Sequence, residues 1–144
     1  MEDFLEKSNI EVLDDKMVLL DDAFYLIGRK DYKLDGDVTN NRKNLNNLLE
    51  NVDKTKPIIL LEHEPINIDK ISKSGVDIHL SGHTHGGQFF PMTLITKNKW
   101  KNQYGHIKVN NMHSIVTSGV GLYGSNIRTQ SDSEICILNV NFKD

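Results

Sequence analysis

A single cysteine, Cys136, in 144 residues excludes an intramolecular disulfide and a zinc site built from thiolates. Basic residues do not outnumber acidic ones. With 17 Lys and Arg against 20 Asp and Glu, the net charge is -3, which gives no reason to expect nucleic acid as a partner. No apolar run approaches the roughly 20 residues that cross a bilayer. The opening stretch from Met1 to Ile10 is acidic and lacks an apolar signal core, pointing to a cytoplasmic chain or to one cut from something longer. Internal repeats, low-complexity tracts and Pro-, Gly- or Ser-rich linkers are also missing, as is a Gly-x-Ser-x-Gly nucleophile elbow. What remains is 38% hydrophobic and 26% charged, the balance of one soluble globular domain over residues 1–144. Any metal chemistry must come from six histidines and carboxylates.

Short apolar runs organise the chain. Ile10–Leu13 and Met17–Leu20 flank Asp14-Asp15-Lys16 and read as a hairpin, and Phe24–Gly28 is a further strand. After the turn residues Asp35-Gly36-Asp37, Thr39 or Asn40 is placed to cap a helix on which Leu45, Leu48, Leu49 and Val52 recur at helical spacing. Ile58–Leu61 reads as a strand buried on both faces. Ile66–Ser74 is a short helix that stops at Gly75, and Val76–Leu80 is a second buried strand. Strand, helix, strand is a βαβ unit with parallel pairing. Beyond it, Tyr104–Val109 and Met112–Ser118 flank the two-residue turn Asn110-Asn111. Glu134–Phe142 alternates, with Cys136, Leu138, Val140 and Phe142 on one face. The fold class is α/β with a mixed sheet, a parallel βαβ unit followed by antiparallel strands.

Chemistry concentrates just beyond the carboxyl ends of the two buried strands, where open α/β sheets place their sites. Leu60-Leu61-Glu62-His63-Glu64-Pro65 follows one, and Leu80-Ser81-Gly82-His83-Thr84-His85-Gly86-Gly87-Gln88 follows the other. Residues two apart on extended backbone project to one side, so His83 and His85 can converge, and His63 can reach the same volume. Neutral imidazole is the commonest metal ligand. This set suits one metal or a pair about 3.5–4 Å apart. Gly86 and Gly87 let backbone approach closely, and their N–H groups can hold anionic oxygens. The plain alternative is a glycine-rich turn with incidental histidines. Flanking glycines after a buried strand favour the metal site.

Leu-Ser-Gly-His-Thr-His-Gly-Gly-Gln, residues 80–88, resembles the last metal-binding motif of the calcineurin-like metallophosphoesterases, closest to a bacterial subgroup that includes the YkuE-type phosphodiesterases and a class of UDP-diacylglucosamine hydrolases. The segment around His63 is similar to the preceding motif of that family. Resemblance continues weakly through Ser118–Gly121 and from Arg128 to Glu134, where the family often has proline in place of Ser133. The resemblance implies half of an α/β sandwich, its C-terminal portion. It implies that His63 and His83 bind the second of two divalent metals (Mn, Fe or Zn) and His85 the first. The family's Asp-x-His, Gly-Asp and Gly-Asn-His motifs, with the catalytic residues, are not found here. Gly36-Asp37 reads better as a turn. The implied activity is hydrolysis of a phosphomonoester, phosphodiester or pyrophosphate bond in the intact protein, on a phosphorylated small molecule or lipid-linked phosphate ester. The intact parent could be membrane-associated. The competing reading is a non-catalytic metal-binding or regulatory module. A half domain would also expose sheet edge and apolar surface, so this chain is expected to self-associate.

Other residues carry weaker signals. Arg128 is a candidate phosphate contact, because guanidinium matches phosphate geometry. His79 reads as a hydrogen-bonded structural histidine, and His106 and His113 as solvated surface. Cys136 reads as a small core residue and Glu62 as a solvated strand end. Trp100 would cover either the core or a membrane-facing edge.

Overall fold

Apolar residues at strand spacing build a six-stranded sheet in the computed structural model, which describes residues 2–31, 42–124 and 126–141. The strands are β1 (Lys16–Leu20), β2 (Phe24–Gly28), β3 (Ile58–Leu61), β4 (Ile78–Ser81), β5 (Gly105–Val109) and β6 (Met112–Val116), in the spatial order β1-β2-β3-β4-β6-β5. β2, β3, β4 and β6 are mutually parallel, and antiparallel β1 and β5 close the two edges. The mixed α/β sheet expected from the sequence is therefore present.

The β3–β4 crossover carries the helix α3 (Ile68–Ile71), shorter than the span expected from residue 66 to 74, and its buried Ile68 and Ile71 face the sheet. One further turn, α2 (Leu45–Leu48), buries Leu45 and Leu48, with Leu49 and Val52 following into the same core. Its cap is Asn44, whose side chain accepts from Asn46 N at 3.1 Å. Thr39, Asn40 and the turn Asp35–Asp37 lie outside the described residues. Ile27, Ile58, Leu60 and Met112 are fully buried at the centre of the core.

Two expectations are corrected. The first hairpin joins β1 to β2, so Ile10–Leu13 forms no strand. The chain turns at Asp21 and Asp22, both with positive φ (50° and 54°), the left-handed conformation that short hairpin loops require and Asp tolerates. Asp15, expected in a turn with Asp14 and Lys16, is buried and accepts from Lys30 N at 3.0 Å and Lys43 N at 2.7 Å. Its carboxylate ties the chain beyond β2 to the chain before α2.

The second correction concerns residues 134–141, which form no strand and lie exposed apart from part-buried Glu134. Alternation made this segment look like sheet, but β1 and β5 already occupy the two edges and neither pairs with it. Cys136 is accordingly an exposed free thiol rather than a core residue. Two helices had no expectation attached: α1 (Glu2–Lys7) and α4 (Met92–Lys99). Among the described residues, no helix is long and apolar enough to cross a membrane.

Candidate metal centre

Parallel β2, β3 and β4 end side by side, and the residues that follow β3 and β4 meet above the sheet. Gly82 N donates to His63 O at 3.0 Å, clamping the two histidine segments together. His83 Nδ1 then lies 3.0 Å from His63 Nε2, close to the separation of about 3.3 Å that two imidazoles take on one tetrahedral ion. The other nitrogen of His83, Nε2, lies 3.2 Å from Glu64 Oε1. Trp100 is buried and packs edge-on against the His83 ring, with centroids 5.6 Å apart. Trp100 thus covers the site's imidazole.

His83 has a positive φ of 66°, and His85 one of 50°. The segment between them is therefore coiled rather than extended, and the two side chains diverge. His85 opens a 3₁₀ turn (His85–Gly87), and its Nδ1 lies 3.2 Å from Gly121 O. Nδ1–H donates to that carbonyl. His85 thus turns one ring nitrogen to a fixed oxygen, whereas His83 is paired through Nδ1 with His63. Metal-binding histidines are commonly oriented as His85 is, the outer acceptor fixing both ring and tautomer. Burial is the largest influence on His83 and holds its pKa below the ordinary value. Glu64 opposes that shift and His63 adds to it, so the imidazole is neutral near pH 7, as a metal ligand must be.

Among the described residues, however, no three His, Cys, Asp or Glu side chains form a group able to hold an ion. Glu64 reaches the wrong nitrogen of His83 to join the nitrogens that face each other, and His85 points to Gly121. The donors fit part of a metal site and do not close one.

Gly86 and Gly87 do not present free N–H groups. Gly86 N donates to Thr84 Oγ1 at 3.3 Å and Gly87 N to Thr84 O at 2.8 Å. Close approach is the real demand at Gly87: a Cβ there would lie 2.5 Å from Thr93 Cγ2 and 2.7 Å from Thr93 Cα. Arg128 is also already engaged. It donates to the carbonyls of Gly119 (3.3 Å), Asp132 (2.7 Å), Ser118 (3.3 Å) and Gly121, so it braces the loop whose Gly121 carbonyl holds His85. In this arrangement its guanidinium faces main-chain carbonyls.

Several supports were invisible in the sequence. Gln88 is buried; its Oε1 accepts from Tyr123 N at 2.8 Å, and its Nε2 donates to the carbonyls of Tyr123 and Ile127 at 2.9 Å. Its own carbonyl accepts from Thr129 N and Gln130 N. Gln88 thus fastens the Arg128 loop from the other side. Glu62, expected in solvent, is buried: its carboxylate takes Arg29, Arg42 at 2.6 Å and His79 Nε2 at 3.3 Å. His79 continues to Ser114 Oγ at 3.3 Å, the structural role expected of it. His106 and His113 are exposed, as expected, and stack on one another with centroids 5.1 Å apart. Glu134 accepts from Tyr104 Oη, Thr117 Oγ1 and Ser118 N at 2.7–3.0 Å, which makes the weakly resembling stretch before it a structural anchor.

The chain is 34% identical over 143 residues to an uncharacterized metallophosphoesterase of Helicobacter pylori, covering 95% of this chain and 37% of that protein. It is 33% identical over 145 residues to one of Aquifex aeolicus, covering 98% of this chain and 54% of that one. A zebrafish transmembrane protein with a metallophosphoesterase domain is 40% identical over 82 residues, 55% of this chain and 19% of that protein. No family model and no solved structure matches. The chain spans between about a third and about half the length of the two bacterial relatives. With its mixed sheet and the paired histidine motifs at the strand ends, it is similar over nearly its whole length to these metallophosphoesterases.

Proposed function

We propose that this chain supplies His63, His83 and His85 to a two-metal phosphoesterase centre whose remaining ligands and catalytic residues come from the part of the relatives' length that it does not span. The observation that carries this reading is the meeting of the two histidine segments, with Gly82 N on His63 O and His83 Nδ1 3.0 Å from His63 Nε2. When bound, divalent metals (Mn, Fe or Zn) would supply charge stabilisation and an activated water for hydrolysis of a phosphate ester or pyrophosphate bond. The chain's own part is positioning: Gly121 orients His85, Trp100 packs against His83, and Arg128 and Gln88 fix the loop. Phosphorylated small molecules and lipid-linked phosphate esters are the substrate classes, and the Leu80–Gln88 motif favours the YkuE-type subgroup. A membrane-associated parent accords with the zebrafish relative, a transmembrane protein.

A second reading, a non-catalytic metal-binding module, is favoured by the open donor set. Titration calorimetry with Mn and Zn separates the two in combination with hydrolysis assays on the longer protein. Binding to this chain that vanishes in His83→Ala/His85→Ala, together with phosphodiester hydrolysis by the longer protein, is the expected result. Metal binding by a longer protein that hydrolyses no phosphate ester would favour the second reading. Exposed Ile135 and Ile137 on the unpaired segment support the further proposal that the chain on its own self-associates.

A further inference from the structure

Next to the histidines, on the far side of Glu62, lies a cavity of about 320 Å³ between the end of β2, α2 and α3. Four cationic side chains, Arg29, Arg42, Lys43 and Lys70, line it, and among the described residues no carboxylate does. That concentration runs against the sign of the chain as a whole, whose net charge is -3. Arg29 also lines the neighbouring cavity that contains Glu62 and His63, so it is a wall common to both.

These groups are held in place. Glu62 orients both guanidinium groups, and Arg29 also donates to Lys43 O at 3.2 Å. Asp15 grips the main chain at Lys30 and Lys43, which carries the basic segment. At the mouth, Lys43 and Lys70 are exposed, and among the described residues neither is paired with a carboxylate. Guanidinium forks inside and free ammonium groups at the rim match a multiply charged oxyanion better than a single carboxylate, which would neutralise only one of them.

We propose that this cavity is an anion site, separate from the histidines, that takes a phosphate or pyrophosphate group. If the hydrolase reading above also holds, and this extension rests on it, the substrate carries two anionic groups: one is cleaved at the histidines and the other is gripped beside Arg29. The site itself does not depend on that reading.

The test uses this chain, stripped of metal on a chelating resin, at low ionic strength. Inorganic pyrophosphate is titrated against the backbone amide resonances. Saturable shifts confined to residues 43–46 and 67–74 are expected, weakening as salt is raised. Lys43→Gln/Lys70→Gln changes two exposed side chains, leaves the circular dichroism spectrum unaltered, and weakens binding about tenfold. His63→Ala/His83→Ala binds as the native chain does. Shifts that never saturate, or that persist in the double lysine variant, overturn the proposal. Binding lost only in the histidine variant would place the anion at the histidines, so that the inference fails while the hydrolase reading stands. Pyrophosphate binding as expected in a longer protein that hydrolyses no phosphate ester would do the reverse.

Discussion

Replacing Glu62 by Gln tests the buried charge network directly. The Glu62 side chain is only 1% exposed, and its partners Arg29 and Arg42 are 11% and 7% exposed. Gln keeps the shape but removes the charge, and its amide nitrogen must face a donor. Taking one partner from a buried pair costs about 3–5 kcal/mol, since the opposite charge stays desolvated. For a chain of this size that lowers the melting temperature by about 10–20 °C. Glu64→Gln is the control: Glu64 is partly exposed, so a loss below about 1 kcal/mol is predicted. Urea unfolding followed by fluorescence of the single tryptophan, Trp100, reads both variants, and an unchanged denaturant slope shows that stability alone has moved. A loss under about 1 kcal/mol for Glu62→Gln would refute the reasoning. Water, not the carboxylate, would then be solvating the arginines.

Three further outcomes follow from other parts of the structure. Gly87→Ala and Gly105→Ala both place Cβ at positive φ, but only Gly87 abuts Thr93, and nothing lies within 4 Å of a Cβ at Gly105. Gly105→Ala should cost about 1–2 kcal/mol of backbone strain, and Gly87→Ala should cost more by about 1–3 kcal/mol of overpacking; equal losses in urea unfolding would deny the close approach to α4. His83 should titrate below 6.5 by NMR, because burial lowers its folded value. The neutral form is then favoured by folding, so its contribution is present above 6.5 and is lost as pH falls from there through the folded value; His83→Gln should flatten that part of the profile, and a midpoint above 6.5 would contradict it. Ile135→Lys/Ile137→Lys should turn a self-associating chain into a monomer by light scattering. A native chain that stays monomeric at every concentration would count against the exposed segment as the contact.

Strands showed plainly in the sequence wherever apolar runs were uninterrupted: Ile58–Leu61 and the neighbourhood of Ile78 could bury themselves nowhere but in a sheet. The Asn110 turn was legible for a similar reason, since few residues accept its φ of 53°. Alternation misled at residues 134–141, because a period of two states which face would be buried but not whether a partner strand exists. Glu62 misled for a different reason: its burial depends on Arg29 and Arg42, which reach it only once β2 and β3 are paired. The histidine motifs announced themselves by type and spacing. Their orientation did not, because it is set by Gly121, Glu64 and Trp100, positions joined to them by the fold and not by the motif.

The strand order has a kinetic consequence. The β1–β2 and β5–β6 hairpins join residues that are near neighbours in the chain, whereas Ile27 meets Leu60 and His79 meets Ser114 only across long intervening segments. Hairpins close in about 1–10 μs, while distant parallel pairings must first overcome loop-closure entropy. His63 and His83 stand at the ends of strands that acquire their neighbours by these slower steps. The predicted order is therefore edges first and histidine segments last, with Trp100 fluorescence in stopped-flow refolding trailing the early β-sheet signal. Coincident phases would argue against it. A nascent chain would then carry its hairpins for some time before its two histidine segments could meet.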